Sequence, residues 1–213
     1  MGQLRIWVWG LCSGLALTAL SAPSLAFTVS IAPGAKEIYL QIGAGGFAGV
    51  FKTGGTPGNN PAINTVSVTV PLGSVGNGTP QPMTTDSAVA NSPYDGRAFC
   101  TPPQQLYIGA FYQRPGMSNA HTAVITATAP ASLVSAAGDQ ISFSTISWTS
   151  SGIGDSGGEV FPGGTFVAGG SQVVGSFTDN TWGESCWTFS YDNAATARGG
   201  TYTGQVVYTM TAP

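Results

Sequence analysis

Apolar and polar side chains alternate with a period of two through most of this 213-residue chain. Ile38, Leu40 and Ile42 alternate with Tyr39 and Gln41, and Val66, Val68 and Val70 alternate with Thr65, Ser67 and Thr69. Leu106, Ile108, Ala110 and Tyr112 form one face of the next run, and Ala123, Ile125, Ala127 and Ala129 one face of another. Near the end, Tyr202, Val206, Tyr208 and Met210 share a face through Gly204. Half-buried strands produce this pattern, because successive side chains leave a pleated sheet on opposite sides. Turn signals separate the runs, among them Asn77-Gly78, Asp95-Gly96, Pro115-Gly116, Gly138-Asp139 and Gly169-Gly170. Glycine accepts positive φ there, and proline cannot donate into a central ladder. Many short strands with such turns predict an all-β antiparallel sandwich or barrel of about 8–10 strands. The only helical turn the pattern allows is at residues 132–137.

One run changes phase. Ile141 and Phe143 share one parity and Ile146 and Trp148 the other. A β-bulge near Ser144 would keep all four on the core face; otherwise one pair faces outward. Residues 43–61, 72–93 and 150–164 are rich in Gly, Pro, Ser, Thr and Asn and read as long loops, where sandwiches usually carry function.

Composition narrows the classes. Charged residues make up 7% of the chain, against about 25% in an ordinary globular domain. The surface must therefore be dressed with neutral polar groups. Six cations against nine carboxylates leave no basic face, so nucleic acid is excluded as a partner. Residues 1–26 read as a secretory signal: Arg5 is the positive start, an apolar stretch follows, and Ser24, Leu25 and Ala26 precede the cleavage point. The expected organisation is a signal peptide at 1–26 and one β-sandwich domain at 27–213, with no membrane span after cleavage. The expected location is secreted, periplasmic or at the cell surface. Export permits disulfides, and the domain holds two cysteines, Cys100 and Cys186, expected to pair.

Candidate chemistry is sparse. Gly154-Asp155-Ser156-Gly157-Gly158 resembles the nucleophile segment of chymotrypsin-like serine proteases. The resemblance implies Ser156 as nucleophile, His121 as base and Asp139 as the orienting carboxylate. That family places its histidine far earlier in the chain, so the string reads as a glycine-rich loop. His121 has no carboxylate or cysteine beside it in sequence and reads as a surface or strand-start residue. Asp155 and Glu159 are an acidic pair for glycoside chemistry only by the loosest criterion. Asp86, Asp95, Asp155 and Asp179 supply loop oxygens of the kind calcium takes, without the spacing of an EF-hand. No cofactor or metal is expected, and the chain reads as a non-enzyme. Trp187, Phe189 and Tyr191 share one strand face, and Cys186, Thr188 and Ser190 the other. Either the aromatic strip faces outward as a platform for a glycan or protein, or it fills the sandwich and the disulfide lies outside. Trp182, in a turn-like stretch, is the further candidate for an exposed contact.

The C-terminal stretch Gly199-Gly200-Thr201-Tyr202-Thr203-Gly204-Gln205-Val206-Val207-Tyr208-Thr209-Met210-Thr211 resembles the last strand of bacterial fimbrial subunits, especially the archaic chaperone–usher and spore-coat-U-like pilins. The signal peptide, low charge and abundance of Thr, Gly and Ala fit the same family. The resemblance implies an immunoglobulin-like sandwich lacking one strand, filled by another subunit's N-terminal extension. Phe27, Val29 and Ile31 alternate at the start of the expected domain and are the candidate donor segment; the alternative is an ordinary first or edge strand of a complete sandwich. The expectation is a non-catalytic structural or surface protein, a fimbrial or matrix subunit serving adhesion, whose partners are its own copies or a periplasmic chaperone. An extracellular carbohydrate- or ligand-binding module, with a surface glycan as partner, is the alternative.

Overall fold

The computed structural model describes residues 27–116, 120–152 and 160–213. The expected signal peptide lies outside the described residues, as do the 154–158 string and Glu159. The described residues form fifteen strands: β1 (Phe27–Ser30), β2 (Glu37–Ile42), β3 (Val66–Ser67), β4 (Gln81–Pro82), β5 (Thr84–Thr85), β6 (Leu106–Gln113), β7 (Thr122–Thr128), β8 (Ser132–Ser135), β9 (Gln140–Ser142), β10 (Ile146–Ser151), β11 (Gly164–Thr165), β12 (Ser171–Thr178), β13 (Thr181–Tyr191), β14 (Tyr202–Thr203) and β15 (Val207–Thr211). Ten of these are three residues or longer, within the range the periodicity predicts. All pairings are antiparallel. No described helix is long and apolar enough to cross a membrane.

The protein is an all-β sandwich of a seven-stranded and a three-stranded sheet, with two small sheets, β14-β8-β9 and β3-β5, beside them. The spine of the large sheet is β13, eleven residues long. One edge of β13 pairs with β6 along residues 181–185 and with β4 at Ser190 and Tyr191. The other edge is shared by β1 along residues 181–184 and β10 along residues 186–191. The second sheet has the order β12-β7-β15, so among the described residues β15 is paired on one side only.

Alternation explains the core. Leu106, Ile108, Ala110 and Tyr112 from β6 meet Trp187, Phe189 and Tyr191 from β13, and Ala123, Ile125 and Ala127 from β7 close the other side. Each large side chain buried this fully contributes about 1.5–3 kcal/mol. A bulge between Val173 and Gly175 turns Val174 into this core, where it is 2% exposed. A Cβ on Gly175 would stand 2.4 Å from the Phe161 ring, so glycine there lets Phe161 cross beneath β12.

Three local expectations need correction. Residues 132–137 do not form a helical turn; Ser132–Ser135 is strand β8. The phase change after Phe143 is made by a 3-10 turn, Phe143–Thr145, in place of a bulge, because the chain there passes from the sheet of β9 to that of β10. Ile141, Phe143, Ile146 and Trp148 are all buried, as either device would require. The 65–70 alternation yields only the two-residue β3, although Val66, Val68 and Val70 still pack on the core.

Candidate functional site

Even-numbered residues of β13 point away from the sandwich core. Trp182, Glu184 and Cys186 therefore face the outer side of the large sheet, where a solvent-facing surface would be polar. The long loops cover that side. Phe47 and Phe51 from the 43–61 loop and Tyr94 from the connection between β5 and β6 pack on Trp182, Phe111, Tyr39 and Ile31, forming a second apolar cluster. Trp182 has five aromatic rings around it, Phe51 at 5.2 Å, Phe111 at 5.4 Å, Tyr94 at 5.6 Å, Phe47 at 5.8 Å and Tyr39 at 6.2 Å between centroids. The loops are joined where Phe51 N–H donates to the Pro93 carbonyl and Lys52 N–H to the Tyr94 carbonyl.

Strand β1 completes this layer. Its register sets Phe27 opposite Glu184 and Val29 opposite Trp182. Ile31 N–H donates to the Asn180 carbonyl at 2.9 Å, so the Val29–Trp182 pair also exchanges ladder bonds. Phe27 lies 5.5 Å from the Tyr94 ring, and Phe27 and Val29 pack on the aromatic cluster. Removing β1 would leave the first half of β13 without a neighbour on that edge, with Trp182 beneath the gap. The segment predicted as a donor thus sits in its own molecule, as an inserted edge strand. Pro33 and Gly34 follow it, and the chain then crosses to β2 on the far side of β6.

Beside β1 lies a buried carboxylate. Glu184 is 1% exposed. It accepts hydrogen bonds from Ser92 Oγ at 2.6 and 2.9 Å, from the Tyr107 hydroxyl at 2.7 Å and from Trp182 Nε1 at 3.2 Å. Burial raises its affinity for a proton, and the Ser92, Tyr107 and Trp182 donors oppose this without cancelling it. Tyr107 reaches it by leaning across Gly109, where a Cβ would stand 2.0 Å from the hydroxyl oxygen. Burial raises the Tyr107 phenol well above its ordinary value, with the Glu184 charge adding to it. Burial also pushes Tyr39 up to about 12. The Cys100–Cys186 disulfide lies on the same outer face, packed with Tyr107, Val89 and Phe99, and pins the connection between β5 and β6 to β13.

The two expectations for β13 are now separated. Trp187, Phe189 and Tyr191 fill the sandwich core, at 0%, 5% and 7% exposure, while the disulfide ties the outside. Trp182 is also fully buried, because the loops form a lid over it. None of the four presents a ring to a surface ligand.

His121 stands one residue before β7 with a partly exposed side chain, in keeping with its strand-start reading, but it has a carboxylate beside it in space. Its Nδ1 lies 2.9 Å from Oδ2 of Asp179, a buried carboxylate 58 positions away. The carboxylate beside His121 is Asp179; Asp139 instead pairs with Arg198 at 4.0 Å. The loop aspartates are dispersed: Asp86 accepts from Asn64 Nδ2 and Thr65 N–H, and Asp95 pairs with Arg97. Among the described residues no group of three or more His, Cys, Asp or Glu side chains is placed to hold a metal.

One groove borders the large sheet. Gly43 N–H donates to the Tyr107 carbonyl at 2.7 Å, which sets the phase of β2. Tyr39 and Gln41 therefore turn their backbone groups toward β6, and Ile38, Leu40 and Ile42 turn theirs outward. These residues and Gly45, Gly46, Gly58, Asn59 and Asn60 line a space of about 320 Å³ with a mainly polar wall.

Sequence reasoning missed Glu184, Ser92 and Tyr107, and it took Asp179 only as a loop oxygen, without its pairing to His121. One signal was present: a carboxylate inside Trp182-Gly183-Glu184-Ser185-Cys186-Trp187, a run otherwise free of charge. The chain matches no protein-family model, no curated protein and no solved structure.

Proposed function

We propose that the protein is an exported, non-catalytic surface subunit that assembles with its own copies by strand addition. The observation that carries this is β1: a four-residue strand, apolar on one face, filling half of one edge of β13 and joined to the rest through Pro33 and Gly34. Exchange of such an element between copies creates an interface from contacts the monomer already makes. The buried aromatic strip and the single-sided pairing of β15 agree with this reading, as does the fimbrial resemblance of the C-terminal stretch. The disulfide fits an oxidising, exported location.

A cross-link tests it. Ser30 and Thr181 are directly paired and alternate with the hydrogen-bonded Val29–Trp182 pair, so their β-carbons are close. The double substitution Ser30→Cys with Thr181→Cys, oxidised after concentration, is expected to give covalent multimers on a non-reducing gel. Cross-linking confined to single chains at every concentration contradicts the reading. In addition, a covalent probe for nucleophilic serines is expected to leave Ser156 unlabelled; labelling would mark a hydrolase.

A second reading rests on the groove beside β2. The outward N–H and C=O groups of β2, with Asn59 and Asn60, suit a neutral polar ligand such as a glycan. Binding of a neutral oligosaccharide that weakens on Asn59→Ala would favour it.

A further inference from the structure

We propose that the Glu184 carboxyl is a proton-operated latch that sets how firmly β1 is held in its seat. The connection is contiguous. Ser92 Oγ donates to Glu184 and accepts from the Tyr94 N–H at 3.0 Å; the Tyr94 ring packs at a tilt against Phe27; Phe27 is the ladder partner of Glu184. Trp182, the floor on which Val29 lies, donates to the same carboxylate. Four observations thus meet at one group: a buried carboxyl, the loop residue covering it, the ring that grips β1, and the ladder.

The direction follows from burial. With β1 seated, Glu184 is removed from water; with β1 and the Tyr94 loop lifted, the carboxylate is hydrated. The seated state therefore holds the proton more tightly than the released state, and seating weakens as pH rises. The other ionisable groups facing this site are Tyr107 on β6, Tyr39 on β2, and Tyr94 and Asp95 on the covering loop, with Arg97 paired to Asp95. The tyrosines ionise only in alkaline solution. Asp95 adds negative charge and reinforces the direction. Strand β1 contributes no titratable side chain.

This inference needs β1 in its own molecule and does not need assembly, so the test uses dilute monomer. A chain with a short neutral leader before Phe27 keeps the α-amino group away from the site. Hydrogen exchange of the Val29 and Ile31 amides, corrected for intrinsic rate, is followed from acid to neutral pH and above. Wild-type protection is expected to fall, by about tenfold for each unit by which seating raises the carboxyl's proton affinity. Glu184→Gln is expected to hold a level protection, while β7 amides stay protected in both. Equal slopes in both proteins, or protection that rises with pH in wild type, would overturn the proposal. If Glu184→Gln leaves β7 unprotected, Ser92→Ala decides. The carboxylate then lacks one donor, and the fall must become larger and extend to higher pH; an unchanged profile overturns the latch.

Discussion

Glu184 shows how a single residue links the loops to the sheet. It stands mid-strand between Trp182 and Cys186, and three donors surround it so that its burial is tolerated. The folded protein holds its proton more tightly than the unfolded chain does. The stabilising contribution is therefore complete below the ordinary carboxyl range and is lost as pH rises through the value Glu184 has in the fold. Urea midpoints of wild type should decline over that window relative to Glu184→Gln; parallel curves would contradict the assignment. Asp86 has the opposite sign, because the Asn64 side chain and the Thr65 amide hold its carboxyl below the usual range, so its contribution is lost only as pH falls. Gly109 is the steric condition for the network. Gly109→Ala would drive a methyl into the Tyr107 hydroxyl and should cost about 1–3 kcal/mol. An alanine variant of unchanged midpoint would show that Tyr107 has another route to Glu184.

At the scale of elements, a strand two faces deep explains why β13 is apolar on both sides. The core face carries Trp187, Phe189 and Tyr191, and the outer face Trp182 and Cys186 under a loop lid. The disulfide closes a separation of 86 residues, so its loss should lower stability by about 4–5 kcal/mol in the chain-entropy account, read as a fall in the denaturation midpoint of the reduced protein. Strand existence was legible where an alternating run keeps a ladder partner along its length, as in β2, β6 and β7. It was less legible at 65–70, where the apolar face is real but ladder partners run out, and at 132–137, where Ser and Ala carry no period. The lid was not legible, because residues 43–61 have no periodicity and their Phe47 and Phe51 gain meaning only once Trp182 is known to lie beneath. The cysteine pair could be read from the expected export and the cysteine count alone. The Glu184 network could not, since Ser92, Tyr107 and Glu184 are brought together by sheet register and a loop return that no local pattern encodes.

For the whole molecule, the distribution of surface matters more than any reactive group. Few charges, a second cover of loops, and a first strand laid along part of one edge of β13 are the features on which the proposed strand-addition role rests. In the proposed assembly the seat of β1 would be the same whether the strand comes from this chain or from another copy, so assembly would require only release and capture. The most direct measurement compares the chain from residue 27 onward with one lacking residues 27–32, by electron microscopy and gel filtration under identical conditions. Filaments or large species that form with the segment and vanish without it are the predicted result. A monomer of unchanged size in both, or filaments that persist after the deletion, would contradict the account.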